Sequence, residues 1–544
     1  MMKRLLLSLL LVLAGLVSQA AFLRNVPVTL VQPNGDTLHC FVTGDEFYQR
    51  MHDAQGYTIV QNHANGYYCY ATKTIDGELI PTSILAVSTT MNMEKETHAA
   101  MAQLQSMGIA PGLMLSRSRI SDRQKSYDIP MQYQMPSAPK TSGTNHGQVN
   151  NIVIFVRFAG DVEISTPLSS MDAMFNDSSS SSTSMFQYFW EASYNKLRVV
   201  SHYYPTPNNN SVISYQDTFA RSYYCPYDAT TNPNGYSNDT EHRLREFNLI
   251  ERAVNYINAN YPIPTSLNLD NDNDGMVDNV IFVVKGTYTG WSDLLWPHKW
   301  SLYDRNVYIN NKRVYTFNLQ LEGSGSHYFS SSTFCHEMFH TLGAPDLYRY
   351  DNDINVSSAG SWDLMGSNST PPQHMSAWMK IKYGNWLDSI PEITIPGTYT
   401  LHSLAEPNLA EHPVRAYKVQ SQDPNQWYVM EYRHNTDHFE TALGGSGLLV
   451  WRVDTRYNGN ANYNGTTQLD ELYVFRPNAS NDSTNGPVAQ AYFGGSSSRR
   501  NFNPTTNPHP WINGNIADTT FALSNIGAAG TTISFTYSSL LGCM

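Results

Sequence analysis

Cys335-His336-Glu337-Met338-Phe339-His340-Thr341-Leu342-Gly343-Ala344-Pro345-Asp346 is the stretch on which the reading of this chain turns. Histidines four residues apart on a helix lie one turn above each other, so their imidazoles share a face. Zinc needs at least one further protein ligand, an open position, and a carboxylate to take a proton; Glu337 stands beside the first histidine. Gly343 falls three residues past His340 and Asp346 ten past His336, the spacing of an extended HExxHxxGxxH pattern with aspartate in the last place. An aspartate oxygen binds zinc at about 2.0–2.2 Å, close to the imidazole distance, so the exchange preserves a three-ligand site. His336, His340 and Asp346 are therefore candidate zinc ligands and Glu337 the candidate general base. Met365, in Ser361-Trp362-Asp363-Leu364-Met365-Gly366, is the expected methionine turn beneath the metal. The competing interpretation is an amphipathic helix with packed histidines, Asp346 capping a turn.

The flanking sequence places this motif in a mixed fold. Ser331 or Ser332 can cap the helix, Gly343 can end it, and Pro345 prevents its continuation. Upstream lie a continuous apolar strand at 152–156, a serine-rich loop at 178–184, a helix at 185–192, and a helix over about 241–259. The last has apolar Leu244, Phe247, Ile250, Ala253, Val254 and Ile257 at a 3.6-residue period, and a buried strand follows at 280–284. Beyond about residue 390 the pattern changes to alternating runs at 399–402, 416–419, 427–432, 448–453, 520–523 and 532–537, separated by turn residues, which predicts a β-sandwich. Ahead of the motif region, 28–87 alternates short β-like runs with turn signals, then passes through a Met-rich, partly helical stretch. Arg117, Arg119, Arg123 and Lys125 open a Pro/Ser-rich segment that is either an exposed, protease-sensitive linker or an ordinary surface connection.

Asp270-Asn271-Asp272-Asn273-Asp274-Gly275-Met276-Val277-Asp278 carries carboxylates at loop positions 1, 3, 5 and 9 and glycine at 6, an arrangement that wraps oxygens around calcium. Asp270, Asp272, Asp274, Met276 (through its backbone position) and Asp278 are the candidate calcium residues. Position 12 is Ile281, so Asp278, another loop or water must replace the usual bidentate glutamate. A solvated, Asx-turn-rich loop is the alternative. His298 and His374 lack ligand spacing to the helix and are expected to be packed or hydrogen-bonded.

Lys3-Arg4, an apolar run from Leu5 to Val17 and Ser18-Gln19-Ala20 read as a secretory signal. No later segment approaches the ~20 apolar residues of a membrane span. The net charge of −12 argues against a nucleic-acid partner, since phosphate binding relies on clustered Lys and Arg. Five cysteines, Cys40, Cys69, Cys225, Cys335 and Cys543, are too few and scattered for a disulfide scaffold. Cys40 and Cys69 either bridge or remain buried thiols, and Cys335 points off the ligand face into the core.

Taken with the segments around it, the motif resembles the immune inhibitor A family of secreted bacterial metallopeptidases. The likeness is carried by His336-Glu337 through Asp346-Leu347-Tyr348, Gly360 to Gly366, Ser376-Ala377-Trp378 with Lys382, and Gly384-Asn385-Trp386. Gly44-Asp45-Glu46 and Gly66-Tyr67-Tyr68 look like that family's propeptide, and Gly447 to Asp454 like its post-catalytic β-domain, with Arg452 where the related segment has histidine. The resemblance implies zinc bound by His336, His340 and Asp346, with Glu337 as base. It also implies an α/β, metzincin-like zinc peptidase domain preceded by a small β-rich prosegment and followed by a β-sandwich. The expected division is a signal peptide at 1–20, a propeptide at 21–125, the catalytic domain at 126–390 and the sandwich at 391–544, with no further sorting or adhesion domain. The expected protein is a secreted, monomeric zinc endopeptidase made as a latent precursor, acting on protein or peptide substrates. In the precursor, Asp45, Glu46, Cys40 or Cys69 can occupy the metal's open position, or the prosegment only assists folding. The rival of another class is a calcium-dependent surface adhesin with a vestigial zinc helix. A cell-wall amidase is the other hydrolase considered.

Overall fold

Alternation along two neighbouring strands shows how the middle of the chain is layered. Ile152, Ile154 and Val156 point to one apolar core with Val280, Phe282 and Val284, whereas Val153 and Phe155 point to another with Ile281 and Val283. Period-2 side-chain alternation in a sheet buried on both faces has this consequence. The computed structural model describes residues 23–45, 47–62, 64–88, 94–116, 119–120, 145–230, 232–286, 296–323, 329–350, 356–460, 470–484 and 486–540. The expected signal peptide, Glu46, Cys543 and most of the basic linker (Arg117, Arg123 and Lys125 among it) lie outside the described residues.

The N-terminal part forms two three-stranded antiparallel sheets, β1 (Leu23–Val31), β2 (Thr37–Gly44), β3 (Gln49–His52) and β4 (Ile59–Gln61), β5 (Tyr68–Lys73), β6 (Leu79–Leu85), followed by helix α1 (Glu94–Ser106). Next come β7 (Gly147–Arg157), α2 (Leu168–Phe175), α3 (Met185–Ala192), β8 (Leu197–Tyr204), β9 (Tyr215–Gln216), α4 (Asp239–Asn260), β10 (Val280–Val284) and β11 (His298–Ser301). After a two-stranded ribbon of β12 (Tyr308–Ile309) and β13 (Lys312–Arg313) follow β14 (Thr316–Leu321), α5 (Ser331–Thr341) and α6 (Ala377–Lys382). One sheet runs β11-β14-β10-β7-β8 with β9 also on β7; β14, β10, β7 and β8 are parallel, and β11 is an antiparallel edge. Helix α4 covers the face shared with the N-terminal sheets, and α2, α3 and α5 cover the other.

The rest of the chain is β-rich. β15 (Gly397–His402), β16 (Ala416–Gln420), β17 (Gln426–Arg433), β18 (Gly447–Asp454), β19 (Leu472–Val474), the ribbon β20 (Trp511–Ile512) and β21 (Ile516–Ala517), β22 (Phe521–Ser524) and β23 (Thr532–Ser539) complete the order. They form sheets β16-β17-β18-β19 and β15-β23-β22, with Leu401, Tyr428, Tyr473, Phe521 and Phe535 among the core between them. The other face of the first sheet, through Val429, Leu449, Trp451 and Val453, joins the core that holds α5. The chain is thus a mixed α/β protein of many sheets and few helices, and among the described residues no helix is long and apolar enough to cross a membrane. Cys40 and Cys69 are free, buried thiols rather than a bridge, and burial pushes Cys40 up to about 12.

Candidate metal centre

Local sequence explains how α5 begins and ends. The side chain of Ser330, not that of Ser331 or Ser332, accepts a hydrogen bond from Thr333 N and caps the first turn. At the other end Gly343 adopts φ +105°, Gly343 N donates to His340 O, and Ala344 N donates to Phe339 O. That pair of bonds is a Schellman stop, for which a left-handed residue is required. The same turn brings Ala344 O within 2.8 Å of His340 Nδ1, so the helix stop also orients a candidate ligand. His336 Nδ1 meets Leu364 O at 3.1 Å, a carbonyl in the Met365 segment.

Carbonyls only accept, so both Nδ1 atoms carry hydrogen and both Nε2 atoms present lone pairs. Those Nε2 atoms lie 3.0 Å apart, and Asp346 Oδ1 lies 3.2 Å from His336 Nε2 and 3.3 Å from His340 Nε2. Ligands about 2.0–2.1 Å from a tetrahedral ion stand about 3.3–3.4 Å from one another, so this triangle is of the size zinc requires. All three side chains are buried, and Asp346 Oδ1 has no hydrogen bond. Two facing lone pairs and a carboxylate oxygen repel unless a cation lies among them. The charge of the carboxylate points the same way: although burial raises it, the imidazoles hold Asp346 down at about 2, so it stays ionised beside the two rings. The residues fit a divalent ion of zinc's chemistry.

The structure brings Glu337 into the same buried turn and Met365 into the apolar core with Phe339; Met365 O accepts from Leu347 N next to Asp346. Tyr350 joins the site by donating its hydroxyl to Asp346 Oδ2 at 2.6 Å, a role that spacing alone does not reveal. His298 and His374 stay outside the ligand group: His298 bonds Glu246 at 2.8 Å and His374 meets Lys380 at 3.2 Å, both buried.

The N-terminal sheets reach this centre through the turn after β2. Asp45 is buried, its Oδ1 accepts from Phe47 N and Tyr48 N at 2.9 Å each, and its Oδ2 has no hydrogen bond. Phe47 packs edge-on against Tyr350, ring centroids 4.8 Å apart. In the metal-free chain burial pushes the Asp45 carboxyl up to about 7 against those backbone bonds, with the charge of Asp346 adding to the rise. A carboxyl raised on folding favours the docked turn below its unfolded value of about 4 and loses that contribution as pH climbs toward 7. Proteolytic release of the N-terminal unit from metal-stripped chain should therefore accelerate over that window, and Asp45→Asn should flatten the rise. An Asp45→Asn chain with the original pH dependence rejects this account.

The acidic loop meets its expectation only in part. Carboxylate oxygens of Asp270, Asp272 and Asp274 lie within 4.8 Å of one another, but Lys312 Nζ sits 2.5 Å from Asp270 Oδ2. Asp278, expected to complete the loop, turns both oxygens onto Asn271 N at 3.0 Å and stays outside the group, and Met276 N donates to Asp274 Oδ1 at 2.8 Å. Asp278 stands two residues before β10, and Asp278 N donates to Leu269 O at 2.7 Å, which ties it to the base of the loop.

Comparison with known proteins adds little to this geometry. No family model and no curated protein matches the chain. Among solved structures it is similar to metalloproteinase-II from Bacteroides fragilis, at 11% identity over 67% of this chain and 86% of that one, with a TM-score of 0.22, a likeness too slight to bear on function.

Proposed function

We propose that the chain is the precursor of a secreted zinc endopeptidase, with His336, His340 and Asp346 holding the metal and Glu337 acting as general base. The observation that carries this reading is the buried triangle of two bare Nε2 atoms and Asp346 Oδ1, 3.0–3.3 Å on each side. Zinc, when bound, acidifies a water and polarises the scissile carbonyl. The carboxylate of Glu337, one residue along the helix from His336, receives the water's proton and passes it to the leaving amine. Tyr350 holds the outer oxygen of Asp346, leaving the inner one for the metal. No side-chain nucleophile is needed.

Latency belongs to the same reading. The Asp45 turn packs Phe47 against Tyr350, the tyrosine that holds Asp346, which supports a blocking role for the N-terminal segment. The motif resemblance supports a metzincin-like catalytic domain, an N-terminal prosegment near 21–125, a C-terminal sandwich and export. We also assign calcium to the Asp270, Asp272 and Asp274 loop as a structural ion.

One experiment tests these points together. Elemental analysis of purified precursor is expected to return one zinc and one calcium per chain, and removal of the N-terminal unit to release casein cleavage that a zinc chelator abolishes. A chain without zinc sinks the peptidase reading. Zinc without calcium removes the calcium assignment and leaves Lys312 as the counter-charge beside Asp270.

A further inference from the structure

The loop carrying Asp346 is fastened to the C-terminal β-sheet. Asp346 O accepts from Asn460 N at 2.9 Å, and Leu347 O accepts from Asn460 Nδ2 at 2.9 Å. The same amide reaches Leu472 O at 2.8 Å, while its Oδ1 accepts from Leu472 N at 3.0 Å. Asn460 therefore spends its backbone N–H, both amide hydrogens and its amide oxygen on tying the ligand loop to β19. Gly459 precedes it at φ +76°, and a Cβ there would stand 2.7 Å from both Asp346 O and Pro345 Cβ. Glu471, fully buried, accepts from Gly459 N at 2.6 Å, Trp378 Nε1 at 2.7 Å, Lys382 Nζ at 2.6 Å and Tyr383 OH at 2.8 Å. It thereby joins the end of α6, β19 and the 459–460 turn at one point.

Among the described residues the donors that fix Asp346 from behind are Asn460 N on its backbone and Tyr350 on its outer oxygen. We propose that Gly459, Asn460 and Glu471 are positioning residues that set the third metal ligand, which makes the β18-β19 edge a working part of the metal centre instead of an appended module. The inference rests on the zinc reading above and deepens it. Partners behind the ligands orient them, and losing one typically weakens binding about 10–100-fold.

Full-length chain is stripped of metal, and cobalt(II) serves as the probe because its visible bands report ligand geometry. Affinity is read by competition with a chromophoric chelator for the unaltered chain, Asn460→Ala, Glu471→Gln and Gly459→Ala. Leu523→Ala, in the core between the two C-terminal sheets, supplies a destabilised control, and denaturant unfolding of each metal-free form supplies its stability. The expected result is cobalt binding weaker by about 10–100-fold with shifted bands in the three variants, and unaltered affinity and bands in Leu523→Ala. Gly459→Ala keeps every polar group and adds one methyl, so it decides the matter if Asn460→Ala does not fold. Variants that fold and bind cobalt like the unaltered chain overturn the positioning role alone, as does a Leu523→Ala control that loses as much affinity. Failure of the unaltered chain to bind cobalt removes the zinc reading, and this inference with it.

Discussion

Glu337→Gln is expected to retain zinc at full stoichiometry while turnover of a protein substrate by the released enzyme falls by about 10²–10⁴-fold, the usual worth of a positioned general base. Glutamine keeps the volume of the buried side chain, so α5 and the spacing of His336 to His340 are preserved. What it loses is the ability to accept a proton. An amide also cannot return one to a leaving amine, so both halves of the reaction suffer, and the drop corresponds to about 3–5 kcal/mol of barrier. Measuring kcat and KM beside zinc content separates the two ways activity can vanish: a missing metal and a missing base. Zinc present with activity undiminished would falsify the role of Glu337, and zinc absent would assign the side chain to the integrity of the site.

How much of this was legible in the sequence depends on the distance over which each contact acts. Helices α3 and α4 and strand β10 lie where period and caps predict them, because a 3.6-residue stripe or a buried apolar run is a local property. Three consecutive serines make the start of α5 ambiguous by one residue, and the structure resolves it at Ser330. The His336, His340 and Asp346 triangle follows from helical rise and a glycine stop, both local, so its members converge as the spacing requires. The hands that hold it are not local. Tyr350 lies in no ligand pattern, and Asn460, 114 residues beyond Asp346 by their numbering, bears no motif at all. Asp45 was one of several acids in a β-rich segment until the β2 turn carried it inward. Strand β19 escaped because three residues carry too little periodicity, and that Asp278 meets Asn271 N depends on where the next strand begins, which loop spacing does not give.

Arg433→Met is expected to cost about 3–5 kcal/mol of stability in denaturant unfolding, the typical penalty for leaving buried carboxylates without their partner. The guanidinium is fully buried on β17, where Nε and Nη2 grip the two oxygens of Glu440 at 2.8 and 2.7 Å and Nη1 stands 3.2 Å from Glu431. Its remaining hydrogen bonds go to the metal-site side: Nη1 to Trp362 O at 2.6 Å and Nη2 to His374 O at 3.0 Å. Trp362 O belongs to the loop whose next residues are Asp363, which accepts from Met365 N and Ser376 N, and Leu364, whose carbonyl orients His336. Methionine fills the space of the side chain's stem but leaves Glu440 and Glu431 with backbone donors, His374 N and Ala377 N, and with Lys380 nearby, whose own ammonium burial pushes well below its ordinary range. Arg433→Lys restores a charge without the fork and should recover part of the loss, since a lysine cannot hold Glu440 and two carbonyls in one plane. A methionine variant within 1 kcal/mol of the unaltered chain, the scale of an exposed pair, would mean that water reaches these carboxylates and that the β17 strand does not brace the loop behind His336.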